Sequence, residues 1–187
     1  MRSAPGDAPA SAAQVSDAGQ RLWAPWRHSY LLTAGAVTKQ ACIFCLGAIN
    51  EAARKRLLVL YDDRLATVML NRYPYNNGHL LIATRRHVAT PELLTAAEQA
   101  KLGLLMAESV RLLRRELRPA GFNLGANLGR TAGAGFADHM HWHVVPRWDG
   151  DNNFMPVLAS TRVLSQHLRD SYARLRPVFK TIRADLS

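Results

Sequence analysis

One stretch constrains this chain more than any other: His139-Met140-His141-Trp142-His143-Val144-Val145-Pro146-Arg147. Histidine alternates with apolar residues, and successive side chains of an extended strand point to opposite faces. The spacing predicts a strand over His139–Val145, stopped by Pro146, with His139, His141 and His143 lining one face. Met140, Trp142 and Val144 then pack on the other. Three imidazoles in a row are hard to explain by packing, since each needs hydrogen-bond partners and close cations repel on protonation. Metal binding and histidine catalysis at phosphate both use such a row; a histidine-rich surface strand is the bland alternative.

The approach to this strand favours phosphate. Asn127-Leu128-Gly129-Arg130-Thr131-Ala132-Gly133-Ala134-Gly135 supplies three glycines, a basic side chain and a hydroxyl. Glycine lets backbone N–H groups come close to an anion. Alone, such a loop is more often a plain turn; leading into three histidines, it suggests a phosphate held beside an imidazole nucleophile.

The rest of the chain reads as one α+β domain. Its 187 residues suit a single domain, and 48% hydrophobic composition is enough for a core. Residues 1–20 are Ala/Ser/Gly/Pro-rich and aperiodic, which predicts a tail, and residues 21–187 form the domain. Order is expected to begin at Arg21-Leu22-Trp23-Ala24-Pro25-Trp26. Leu57–Tyr61 and Ala66–Leu70 read as a hairpin around Asp62-Asp63-Arg64, and His79–Thr84 as a third strand. Thr90-Pro91 opens a helical region, in which Thr95-Ala96-Ala97-Glu98 has capping-box spacing. The helix is expected to end near Pro119 with Gly121 closing it. Phe122–Leu128 reads as a strand and residues 162–176 as a C-terminal helix. His28 reads as a surface or packing residue, His167 as plain surface, and Arg85-Arg86 and Arg111/Arg114/Arg115 as solvated charge clusters.

Exclusions follow from composition. Two cysteines rule out a disulfide framework. The N-terminus lacks the apolar stretch of a secretory signal, and no window reaches the ~20 apolar residues of a membrane span. A cytoplasmic, soluble protein is expected. The formal charge of +10 points to an anionic partner without saying which.

Three separated segments carry a family resemblance: His139-x-His141-x-His143, the Asn127 loop, and Asn71-Arg72-x-Pro74-x-x-x-Gly78-His79. Together they resemble the histidine triad (HIT) family, nearest its dinucleoside polyphosphate branch. Leu22-Trp23-Ala24-Pro25-Trp26-Arg27 and Pro146-Arg147-Trp148-x-Gly150-Asp151-x-Asn153-Phe154 look like its bacterial diadenosine tetraphosphate phosphorylase-like members. The resemblance implies a mostly antiparallel sheet with one long helix and a C-terminal helix. It implies His141 as nucleophile on the α-phosphate, with His143 and His79 orienting it and stabilising charge. Asn71 would recognise ribose, and Asn127 and the backbone around Gly135 would hold phosphate oxygens. One departure stands out: many relatives carry Gln or Ser, then Thr or Ser, where this chain has Gly135-Phe136. Backbone contacts, Arg130 or Thr131 would then replace the missing side-chain contacts.

Cys42-Ile43-Phe44-Cys45 supplies half of a tetrahedral zinc shell. Read alone, it leaves two half-buried thiols or a redox pair as alternatives. Some HIT members complete such a site with a histidine after the third strand and the first histidine of the triad. The resemblance therefore implies a structural zinc on Cys42, Cys45, His87 and His139, and no organic cofactor. It also implies a homodimer joined sheet to sheet. The expected reaction is transfer of a nucleotide from diadenosine tetraphosphate to phosphate, giving ATP and ADP. A hydrolase of diadenosine polyphosphates or nucleoside phosphoramidates is the alternative within the family. A zinc-bearing nucleic-acid module is the alternative outside it, disfavoured because basic residues are dispersed and the histidines would be unexplained.

Overall fold

The computed structural model describes residues 42–151 and 167–182. Trp23, Trp26, His28, Asn153, Phe154 and the first part of the expected C-terminal helix lie outside them. The described elements are α1 (Glu51–Leu57), β1 (Val59–Asp62), β2 (Ala66–Leu70), β3 (Leu80–Thr84), α2 (Ala96–Leu117), β4 (Gly121–Ala126), β5 (His141–Arg147) and α3 (Leu168–Phe179). A short 3₁₀ turn, Pro91–Leu93, precedes α2. The strands form one antiparallel sheet in the order β1-β2-β3-β5-β4. This is the expected α+β architecture.

The β1–β2 hairpin turns where Asp63 places its carboxylate under the backbone, accepting from the N–H groups of Leu65 and Ala66, both at 2.8 Å. Its other oxygen takes the Tyr61 hydroxyl at 2.7 Å and the ammonium of buried Lys101 at 2.8 Å. One carboxylate thus ties the hairpin tip to α2. Thr95 and Glu98 close the capping box reciprocally, as their spacing predicts. Arg86 adds two hydrogen bonds to the same Glu98 carboxylate, at 3.0 and 2.7 Å.

Both faces of the sheet are covered, which is why β2 and β3 are buried at every position. On one face Leu80, Ile82, Val68 and Val144 pack with Leu102, Leu105, Leu112 and Leu113 of α2 and Tyr172, Leu175 and Phe179 of α3. On the other, Val59, Met69, Leu81 and Ala83 surround Phe44. Burial of a full aliphatic or aromatic side chain stabilises by roughly 1.5–3 kcal/mol, so these two layers dominate the stability of the fold.

Three expectations at element ends are corrected. Helix α2 is closed by Arg118, in the left-handed region at φ 50°, and Gly121 begins β4 instead. The strand does not stop at Pro146; it runs to Arg147, with Pro146 opposite Phe122. Strand β3 pairs with β5 only as far as Val144, so beyond it Pro146 has a neighbour on one side alone and its missing N–H is tolerated. His139 lies before β5, not within it. The seven-residue α1, capped by the Asn50 side chain, has no counterpart in the sequence reading. His167 is exposed, as expected, and also caps α3, its Nδ1 accepting from the Arg169 N–H at 3.2 Å.

Candidate active site

Three structural pieces converge on the Phe44 face of the sheet: β5 with its histidines, the Asn71–His79 loop, and the Cys42–Cys45 turn. His141 and His143 lie opposite Ala83 and Leu81 in the sheet, so their side chains share the face that those residues present. His141 is 4% exposed. Its Nδ1 lies 2.8 Å from the His139 carbonyl oxygen, which can only accept. The proton therefore sits on Nδ1 and the Nε2 lone pair is free to attack. Burial lowers the His141 pKa, keeping the ring neutral.

A second chain of contacts fixes the neighbouring tautomers. The Tyr75 backbone N–H points at His79 Nδ1 across 3.0 Å, so that nitrogen accepts. His79 then carries its proton on Nε2, which lies 2.9 Å from His143 Nδ1. His143 must accept there, leaving its own proton on Nε2. That Nε2 is buried and has no hydrogen-bond partner among the described residues. Burial, reinforced by His141, holds His143 down to about 4, so it is neutral near pH 7. A buried N–H without an acceptor costs about 1–3 kcal/mol, a cost that an incoming anionic oxygen would remove.

The loop that delivers His79 is held from both ends. Its backbone closes through Asn71 N–H to the His79 carbonyl at 2.9 Å and His79 N–H to the Asn76 carbonyl at 3.2 Å. Asn76 donates through Nδ2 to the Asp151 carboxylate at 2.8 Å and to the Pro146 carbonyl at 3.2 Å. Asp151 in turn takes a two-pronged contact from Arg147, at 2.6 and 2.7 Å. The Arg147 guanidinium holds the Asp151 carboxyl down to about 2. Arg147 is thus neutralised within the scaffold. Tyr75 lies over His143, with ring centroids 5.9 Å apart and planes 8° apart.

The metal-type residues also converge. One ligand atom from each of Cys42, Cys45, His87 and His139 lies within 4.8 Å of the others. Cys42 Sγ is 3.2 Å from His139 Nδ1, and Cys45 Sγ is 3.2 Å from His87 Nδ1 and 3.7 Å from His139 Nδ1. Tetrahedral zinc, with bonds of about 2.3 Å to sulfur and about 2.0–2.1 Å to nitrogen, puts adjacent S and N atoms about 3.5 Å apart. The donor set therefore fits. The outer nitrogen of His139, Nε2, lies 2.9 Å from the Thr84 carbonyl, the usual support for a ligating imidazole. Burial pushes His139 down to about 4, which keeps it neutral near pH 7, as a ligand must be.

The remaining predicted residues are placed as follows. Asn71 accepts the Tyr73 N–H at 2.9 Å through its carbonyl, and its amide lies 3.4 Å from His79 Nδ1. Asn127 donates to the Gly133 carbonyl at 3.5 Å and so braces the glycine loop. Within that loop Gly129 and Gly133 take positive φ, 75° and 88°, while Gly135 is half-buried and Arg130 and Thr131 are exposed. The Phe136 carbonyl accepts the His139 N–H at 3.4 Å, and its ring packs edge-on against Phe44, with centroids 5.8 Å apart and planes 76° apart. Phe44, Tyr75 and Asn76 are site residues that the sequence reading missed. Asn76 and Tyr75 sat inside a stretch read only as turn-forming, and Phe44 was hidden between the cysteines.

The chain resembles known proteins in sequence and in fold. The family model described as HIT domain matches residues 53–150. AP-4-A phosphorylase of Mycobacterium tuberculosis is 39% identical over 158 residues, covering 81% of this chain and 80% of that protein. An uncharacterized HIT-like protein of Methanocaldococcus jannaschii is 31% identical over 110 residues, 59% of this chain and 81% of the relative. The fold is shared with a zinc-bound histidine triad family protein from Mycobacterium smegmatis, at TM-score 0.58 and 24% identity, covering 76% of this chain and 96% of that one. It is also shared with Plasmodium falciparum diadenosine triphosphate hydrolase in complex with cyclomarin A, at TM-score 0.56 and 17% identity, covering 87% and 99%.

Proposed function

The chain belongs to the histidine triad (HIT) family, and on that premise we propose that it is a nucleotidyltransferase cleaving dinucleoside polyphosphates through a nucleotide carried on His141. The observation that carries this reading is the pairing of a neutral His141, with Nε2 unprotonated, and a neighbouring His143 whose buried Nε2–H lacks an acceptor. In the first step His141 Nε2 attacks the α-phosphorus. A P–N bond forms, the P–O bond to the departing nucleoside polyphosphate breaks, and the electron pair leaves on oxygen. The His143 N–H stabilises phosphate oxygen charge as it develops, and the His79–Tyr75 relay keeps that proton aimed outward. In the second step an acceptor oxygen displaces His141 from phosphorus. Inorganic phosphate as acceptor turns diadenosine tetraphosphate into ATP and ADP, the reaction that the name of the M. tuberculosis relative implies for that protein.

The supporting residues keep their roles from the resemblance: Asn71 toward ribose, and Asn127 and the Gly135 backbone toward phosphate oxygens. Arg130 and Thr131, exposed on the same loop, are the side chains available to supplement them. Cys42, Cys45, His87 and His139 would hold zinc, which with four protein ligands cross-links the structure and offers no open position for substrate. A reducing cytoplasm suits thiol ligands, and no helix among the described residues is long and apolar enough to cross a membrane. A sheet-to-sheet homodimer fits β4, the outer strand, where Leu124 is 52% exposed.

A product assay tests the reaction. Diadenosine tetraphosphate with phosphate is expected to yield ATP plus ADP; phosphate-independent release of AMP would make the protein a hydrolase. His141→Asn is expected to abolish turnover while sparing nucleotide binding, and appreciable residual catalysis would remove His141 from the nucleophile's role.

A further inference from the structure

Phe44 is fully buried, yet it does not belong to the main core between the sheet and the long helices. It sits between the two cysteines, in a turn closed by Cys45 N–H to the Cys42 carbonyl at 3.2 Å. Its ring stacks on His141, with centroids 4.8 Å apart and planes 29° apart. The same ring reaches His139, 5.1 Å away. Phe136 supports it from the glycine-rich loop. An aromatic ring laid face to face on the nucleophile is more than a filler of the apolar layer, because this imidazole changes charge during the reaction.

We infer that Phe44 is a positioning residue that holds the His141 ring for attack and stabilises it electrostatically once it carries the nucleotide. The inference rests on the proposed His141 nucleophile. Before reaction the ring is neutral, with its proton on Nδ1 against the His139 carbonyl. Bond formation at Nε2 leaves that proton in place, so the ring becomes a cationic N-phosphorylated imidazolium. It is paired with the negative phosphate oxygens on one side and stacked on the phenyl face on the other. The negative face of an aromatic ring attracts a cation within about 6 Å of its centroid, and more strongly where water is excluded. The attraction is weak for neutral imidazole and grows as positive charge develops, so it favours the transition state and intermediate over bound substrate. The single hydrogen bond at Nδ1 also leaves the ring free to tilt about that contact, and Phe44 restricts the tilt. Phe136, packed edge-on against Phe44, holds that ring in place.

The role predicts a lowered kcat with little change in KM. Phe44→Met keeps the volume and removes the ring; site-specific incorporation of fluorinated phenylalanines at position 44 keeps shape and drains charge from the ring face. Each protein is assayed with diadenosine tetraphosphate labelled at the α-phosphate, following kcat, KM, the labelled His141 adduct in acid-quenched samples, melting temperature and bound zinc. Expected is a roughly 5- to 30-fold fall in kcat for Phe44→Met. A graded fall with added fluorine is expected at unchanged melting temperature and zinc content. Because fluorination hardly alters packing, that series decides the matter even if Phe44→Met fails to fold. A fluorine series with flat kcat, while the wild type still labels on His141, overturns the role of Phe44 and leaves the nucleophile standing. A wild type that turns over without labelling His141 overturns both.

Discussion

Replacing Gly78 with alanine should cost more than a surface glycine ordinarily does, and its cost can be divided. Gly78 sits at φ +71° in the turn closed by His79 N–H to the Asn76 carbonyl, immediately before His79. A Cβ at this position would lie 2.5 Å from Leu117 Cδ1, 3.5 Å from Pro146 Cγ and 3.6 Å from Leu113 Cδ2. The left-handed backbone alone costs an L-residue roughly 1–2 kcal/mol. Overpacking adds about 1–3 kcal/mol in a rigid core, and toward the lower end here because the contact is the tip of a flexible, half-buried leucine. The total is about 2–4 kcal/mol, large against a typical domain stability of about 5–15 kcal/mol but not enough to unfold it. Urea denaturation of Gly78→Ala, Leu117→Ala and the double variant measures both parts. Trimming Leu117 removes the clash and leaves the backbone strain, so the double variant should be about 1 kcal/mol more stable than the sum of the singles. Activity should fall along with stability, since the turn sets the 2.9 Å contact between His79 and His143. A Gly78→Ala protein within about 0.5 kcal/mol of wild type would refute the strain argument, and strict additivity would refute the clash.

Three further outcomes are expected. Cys42→Ser, or chelation of the wild type, should remove zinc and lower the melting temperature by roughly 5–10 °C, the shift that ~2–3 kcal/mol gives in a chain of this size; metal-free wild-type protein that melts normally would end the zinc proposal. The Asp151 carboxyl is held at about 2, well below its ordinary 3.8, chiefly by its hydrogen bond from Arg147. Its contribution is therefore complete above the unfolded value and lost as pH falls through the folded one. Melting temperature measured from pH 5 to pH 2 should drop less steeply for Asp151→Asn than for wild type, and parallel curves would contradict the assignment. Leu124→Asp, on the exposed outer strand, should convert a dimer to a monomer in sedimentation; a wild type that already sediments as a monomer would dispose of the dimer.

The structure also shows which basic side chains are paired. Arg147, the last residue of β5, is bound to Asp151 and Asn123. Arg86, Arg111 and Arg115 are paired with Glu98, Glu108 and Glu116. The formal charge of +10 is thus a general bias toward anions, and in the proposed mechanism the specific recognition falls to neutral imidazoles and backbone groups.

What the sequence determined by itself was periodic or short-ranged. Alternation placed His141 and His143 on one face, capping-box spacing located the start of α2 at Thr95, and Asp63 marked the hairpin turn, because each depends on neighbours within a few positions. Element ends were less legible: Pro146 is tolerated inside β5 because β3 stops short beside it, a fact about another strand. The site followed the same division. The tautomers of His141 and His79 rest on the His139 carbonyl and the Tyr75 amide, two and four positions away, but only the tertiary structure decided that of His143, which faces His79 across 64 positions of chain. Only the tertiary structure brought Phe44 onto His141, across 97 positions of chain between Cys42 and His139. Residue types say which chemistry is possible; the His79–His143 hydrogen bond and the stack of Phe44 on His141 exist only after the distant segments have packed.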